Sequence, residues 1–263
     1  MAWFKRSSRF NFLAIVLAVA LVLGLTVHGS AGVQAQWQPN SLSSKLPDRW
    51  ENSFRPPRTS GSGVPINTVG GGTRGGCEPD EKPPIPLVPA SNIGTTAAGY
   101  PTFFWYMPQT TASGMEFLLQ DAENKDVYRV EYTLDKSVGG VTDTPKIMSL
   151  TLPAFANISP LAIGQEYRWS LALICRPADR SADLVVERSI ERVATDPTLA
   201  QRIQQATPQD RVVLYADARL WYETVGTLLQ LRRDRPNNQE VETAWQKLLQ
   251  SAGLNLSSEV VGK

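Results

Sequence analysis

Histidine is almost absent from the 263 residues, and the one copy, His28, lies in an apolar N-terminal stretch. A chain working without that stretch has no imidazole. This excludes Ser-His-Asp and Cys-His catalysis, histidine-ligated zinc and the usual neutral-pH proton shuttle. Cysteine is nearly as scarce: Cys77 and Cys175 cannot complete a structural zinc site by themselves. An excess of one charge is missing too. The formal charge is +1, and removing residues 1–35, which hold Lys5, Arg6, Arg9 and no carboxylate, leaves −2. So balanced a surface offers no electrostatic footprint for nucleic acid and no polybasic tract for an anionic membrane.

A bilayer-spanning hydrophobic run is also lacking. The longest, Phe12 to Val27, has 16 residues, about 24 Å as a helix, where a span takes roughly 20. The basic start before it and Val33-Gln34-Ala35 after it read instead as a secretory signal cleaved after Ala35. The alternative is retention as a single N-terminal anchor; with cleavage, no stable membrane insertion is expected. Export places the protein in the periplasm or outside the cell. In such an oxidising space the two cysteines are expected to pair. A Cys77–Cys175 bridge closes a loop of about a hundred residues, worth roughly 4 to 5 kcal/mol on chain-entropy grounds; two separate thiols are the alternative.

Composition divides the remainder. Residues 36–84 are rich in Pro, Gly, Ser and Asn and read as an exposed linker. Within them Gly70 to Gly76 lacks the Gly-Lys-Ser/Thr ending of a phosphate-binding loop, and no cofactor motif occurs elsewhere. Residues 85–195 carry short alternating runs: Thr102 to Met107, Met115-Phe117-Leu119, Tyr128-Val130-Tyr132-Leu134, Ile147 to Leu152 and Glu166 to Cys175. Asp121 to Asp126 reads as a hairpin connection and Gly139-Gly140 as the next reversal. Leu184 to Val193 reads as a strand, although Glu187/Glu191 and Arg188/Arg192 also have helical spacing. Residues 196–254 are helical. Asp196-Pro197 and Thr207-Pro208 are starts, Tyr215-Ala218-Tyr222-Val225-Leu229 is a long stripe, and a second helix runs from a cap at Asn237 to Gly253. The fold class expected is α+β: an antiparallel β-sandwich like immunoglobulin or fibronectin III domains, then a C-terminal helical hairpin, with a tail at 255–263.

Several ordered blocks resemble a known family. They are Gly70 to Cys77, Pro101 to Tyr106, Glu116 to Asp121, Tyr167-Arg168-Trp169 with Ile174-Cys175, and Trp221-Tyr222 through Trp245 to Gly253. Together they resemble the cyanobacterial secreted domain-of-unknown-function family 928. The resemblance implies an exported protein, and it brings no catalytic residues.

Candidate chemistry is sparse. Asp121, Glu123, Asn124 and Asp126 offer oxygens to a cation such as Ca²⁺ but lack the full loop pattern, so a solvated turn is expected. Asp179 with Asp183, or Glu187 with Glu191, are arbitrary nominations for carboxylate-pair catalysis on glycans. Phe103 to Tyr106 suit core packing more than sugar stacking. Trp221, to one side of the Tyr222 stripe, is the residue expected to touch a partner. The functional expectation is an exported non-enzymatic interaction or accessory module of the cell envelope, with a protein partner, no cofactor and no metal. The alternatives are a carboxylate-dependent periplasmic hydrolase or glycan-binding protein, and a purely structural envelope component.

Overall fold

The computed structural model describes residues 45–47, 50, 54, 77, 82–135 and 146–254. All lie in one compact unit, Leu42–Lys263. The signal, the glycine run at 70–76, the reversal at 139–140 and the tail lie outside the described residues.

Among the described residues, eight strands form two sheets. They are β1 (Ile85–Pro86), β2 (Ile93–Thr96), β3 (Thr102–Met107), β4 (Gly114–Gln120), β5 (Asp126–Thr133), β6 (Lys146–Thr151), β7 (Glu166–Ile174) and β8 (Leu184–Arg192). One sheet has the order β1-β3-β6 and the other β2-β8-β7-β4-β5. The alternating runs form strands because period-two patterning puts one apolar rank on one face. Met115, Phe117 and Leu119 on β4 stand opposite Leu173, Leu171 and Trp169 on β7, all buried. From the smaller sheet, the Phe103 ring meets Phe117 at 4.9 Å and Trp169 at 5.2 Å, so the sheets share a core. One pairing departs from the antiparallel expectation, since β2 runs parallel to β8. The loops between β1 and β3 bring the chain back along β8 in the same direction, which no local pattern signals.

Among the described residues four α-helices follow: α1 (Pro197–Gln205), α2 (Pro208–Asp217), α3 (Trp221–Asp234) and α4 (Gln239–Ser251). The first two start where the caps require. Asp196 accepts from Thr198 N and Thr207 from Asp210 N, each with proline in the first turn. The long stripe through Tyr215 and Tyr222 is broken into two helices. Arg219, at φ 60°, ends α2, with Arg219 N donating to Ala216 O and Leu220 N to Tyr215 O. This is a Schellman ending without the glycine that normally marks one. The cap of α4 is Asn238, one residue later than expected, accepting from Val241 N. Gly253 ends α4 at φ 74°, as its sequence position implied.

The expectation of an exposed linker fails at three positions. Leu46, Trp50 and Phe54 are buried. Leu46 N donates to Glu240 Oε1, Trp50 Nε1 donates to Ala244 O, and the Phe54 ring meets Trp221 edge-on. Average composition marks the segment as poor in aliphatics, while three of its apolar residues, Leu46, Trp50 and Phe54, pack on α3 and α4.

Candidate interaction surface

Trp221, the residue expected to touch a partner, is not at the surface. It is 1% exposed, and Nε1 donates to Leu87 O at 2.7 Å. The helix break at Arg219 makes Trp221 the first residue of α3, turning its ring under the β1–β2 connection. Beside it Tyr222 packs on Gly94, where a Cβ would lie 2.7 Å from the tyrosine ring, so only glycine lets α3 come this close to β2. Trp169 Nε1 donates to Tyr222 Oη at 3.0 Å, and burial pushes that hydroxyl far above the ordinary phenol range. These groups build the core.

Glu223, one residue on, joins α3 to the end of β2. Its Oε1 accepts from Thr96 Oγ1 at 2.6 Å, Ala97 N at 2.9 Å and Ala98 N at 3.2 Å. The carboxylate also sits in the first turn of a helix whose cap residue, Leu220, supplies no side-chain bond, a favourable place for negative charge. Glu223→Ala is expected to cost about 2 to 4 kcal/mol, since it strands donors that a charged acceptor now satisfies. Urea unfolding measures this, and a loss under half a kilocalorie would contradict a clamp role.

Most of the other nominated groups have structural partners. Three of the aromatic set, Phe103, Phe104 and Trp105, are buried, and Phe104 lies against Gly226 of α3. Asp179 caps the 3-10 turn Arg180–Ala182, and Asp183 pairs with Arg180 and accepts from Cys175 N. Glu187 pairs with Arg168 at 3.1 Å, and Glu191 stands opposite Glu166. In the β4–β5 turn Asp121 Oδ1 accepts from Glu123 N and Lys125 N, Asn124 Oδ1 accepts from Arg168, and Asp126 pairs with Arg129. Asn124 holds a left-handed φ of 62°, which suits a tight turn. Cys77 and Cys175 are bonded as a disulfide.

What the molecule does present is the β6–β7 connection. Phe155 is 91% exposed and Ile163 59%. An apolar side chain so exposed on a loose loop would mean little, but the residues that follow Phe155 are tied down. Tyr100 Oη donates to Ile158 O, Leu161 N to Gly99 O, and Arg192 Nη1 to Leu161 O. Tyr167 Oη accepts from Ala162 N, and Gly164 N donates to Arg192 O. Ile158 and Leu161 turn inward against the core while Phe155 and Ile163 face solvent. Sequence reasoning missed Phe155. The available signal was a single phenylalanine in Leu152-Pro153-Ala154-Phe155-Ala156-Asn157, outside any alternating run.

The blocks that tie these parts together, from the approach to Cys77 through both sheets to the last helix, match one family model over residues 69–261, described as Domain of Unknown Function (DUF928). The chain belongs to DUF928. The match spans both bridged cysteines, the Phe155 loop and all four helices, so the DUF928 region includes the strands and helices alike. No curated protein matches the chain.

Proposed function

We propose that the chain is an exported, non-enzymatic interaction or accessory module of the cell envelope, periplasmic or extracellular, that engages a protein partner through the Phe155 loop. The carrying observation is Phe155 itself, 91% exposed on a turn closed by Ala156 N donating to Pro153 O, in a loop whose later residues Ile158, Leu161 and Ala162 bond to Tyr100, Arg192 and Tyr167. A loop anchored at both ends leaves less chain freedom for binding to remove, and exposed aromatics act as anchors in partner pockets. The N-terminal run supports the export part of the reading, and the disulfide is consistent with an oxidising compartment. In the same reading the two sheets are an immunoglobulin/fibronectin III-like platform whose end loops carry the contact. Helices α3 and α4 form an antiparallel hairpin bracing it, and the source is a cyanobacterial secreted family.

The test is a paired substitution, Phe155→Ser with Ile163→Ser, in the producing cell. Stability is expected to stay within about half a kilocalorie per mole per site, because neither side chain is buried. Chemical crosslinking and purification should recover a partner with the wild-type protein and lose it with the variant. Equal recovery from both would contradict the proposal, as would turnover of an envelope polymer that one carboxylate substitution abolishes.

A further inference from the structure

Strand β5 ends the five-stranded sheet, and its outer edge pairs with nothing among the described residues. An open edge is ordinarily protected by proline, charge, bulges or shortness. β5 has eight residues, Asp-Val-Tyr-Arg-Val-Glu-Tyr-Thr, without proline, and the charges at its centre, Arg129 and Glu131, are of opposite sign. Its one irregularity, opposite Leu119/Gln120, lies at the Asp126 end, leaving Tyr128 to Thr133 regular.

Hydrogen-bond parity fixes which groups face outward. Leu134 N donates to Ser113 O, and Thr133 stands opposite Gly114. Main-chain groups of Leu134, Tyr132 and Val130 therefore point at β4, and those of Thr133, Glu131 and Arg129 point to the open side. The sequence about Val130 is close to palindromic in chemistry: Tyr128-Arg129-Val130-Glu131-Tyr132.

The ion pairs of this face are unevenly filled. Arg129 bonds Glu116 at 3.0 Å and Asp126 at 2.9 Å, and Arg180 reaches Glu116 at 3.6 Å. Glu131 stands directly opposite Glu116, a like-charge cross-strand pair, and has no ion pair of its own among the described residues. Arg180 acts on Glu131 only through space, its direct pairs being with Glu116 and Asp183, so among these residues Glu131 lacks a cation in contact.

We infer that β5 is a self-association edge, pairing antiparallel with β5 of a second copy about a two-fold axis through Val130. In that register Arg129 of each copy lies opposite Glu131 of the other as a hydrogen-bonded pair, so both exchange main-chain bonds through the outward-facing groups. Their side chains meet with opposite charge on the polar face. Val130 faces its own counterpart, and Tyr128 meets the other copy's Tyr132 on the face where Tyr132 is now 42% exposed. One operation supplies every pair twice, as an isologous interface requires.

The experiment is sedimentation velocity, over a rising concentration series, on protein recovered from the producing cell. The wild type is expected to pass from monomer to dimer. Glu131→Arg sets arginine against arginine and should weaken the dimer about tenfold or more, as should Arg129→Glu, which sets acid against acid. Mixed in equal amounts, these two variants should form a heterodimer, because every cross-copy pair is again of opposite sign. Arg129→Glu also removes two pairs within the protomer, so Glu131→Pro is a second probe: it deletes an amide that only the other copy uses. A wild type that remains monomeric overturns the inference, as does a dimer unaffected by both Glu131 variants, or an edge occupied by a different protein while self-association is absent.

Discussion

Trp221→Ala is expected to lower stability by about 3 to 5 kcal/mol, the range for removing a large aromatic from a packed core. The ring joins three parts distant in sequence. Its edge contact with Phe54 has centroids 4.8 Å apart, Nε1 holds Leu87 O, and its position beside Tyr222 seats α3 on β2. Deleting the ring opens a cavity among residues that cannot all collapse and leaves a buried carbonyl without its donor. Trp221→Phe keeps most of the volume and loses the hydrogen bond, so its expected cost is about 1 to 2 kcal/mol. The ordering of the two variants in denaturant titrations separates packing from hydrogen bonding. A Trp221→Ala protein as stable as the wild type would return Trp221 to the surface role that its place in the sequence suggested.

Opening the disulfide is the second large effect. Cys77 and Cys175 are 98 residues apart in sequence, and their bond ties the approach to β1 to the end of β7. Releasing a loop this long frees mainly the unfolded chain, with an expected loss of about 2 to 5 kcal/mol. Cys175→Ser and the reduced wild type should lose similar amounts, since both remove the same constraint. Thermal unfolding with and without reductant measures it. A midpoint that ignores reductant would mean that the bridge does not form in solution or constrains nothing.

How much of this was legible depended on whether the signal was local. The ranks Met115-Phe117-Leu119 and Tyr167-Trp169-Leu171 announce strands because alternation is a property of neighbouring residues, and Asp196-Pro197 and Thr207-Pro208 announce helix starts for the same reason. β8 was ambiguous because its core-side rank carries Arg188 opposite Trp169, and Arg192 bonded to Ala97 O and Leu161 O. Charges on the inner rank imitate a helix face. The end of α2 was hidden because Arg219, rather than glycine, takes the left-handed position; Thr95 Oγ1 donates to its carbonyl. The place of Trp221 followed from that break and was lost with it. Leu46, Trp50 and Phe54 escaped because composition averages over a segment, whereas three large side chains suffice to dock it. Phe155 escaped for the opposite reason: one exposed aromatic has no period, and the loop it stands on is held at Ile158, Leu161 and Ala162 by Tyr100, Arg192 and Tyr167, distant in sequence or on other strands.

The most direct test of an interaction module built on Phe155 is to place a photo-crosslinking side chain there in the producing cell. The matched control carries it at Glu123, also exposed, on the β4–β5 turn. The expected result is a discrete adduct with one partner from position 155 and none from 123. No adduct from 155, or the same smear of products from both, would contradict the account.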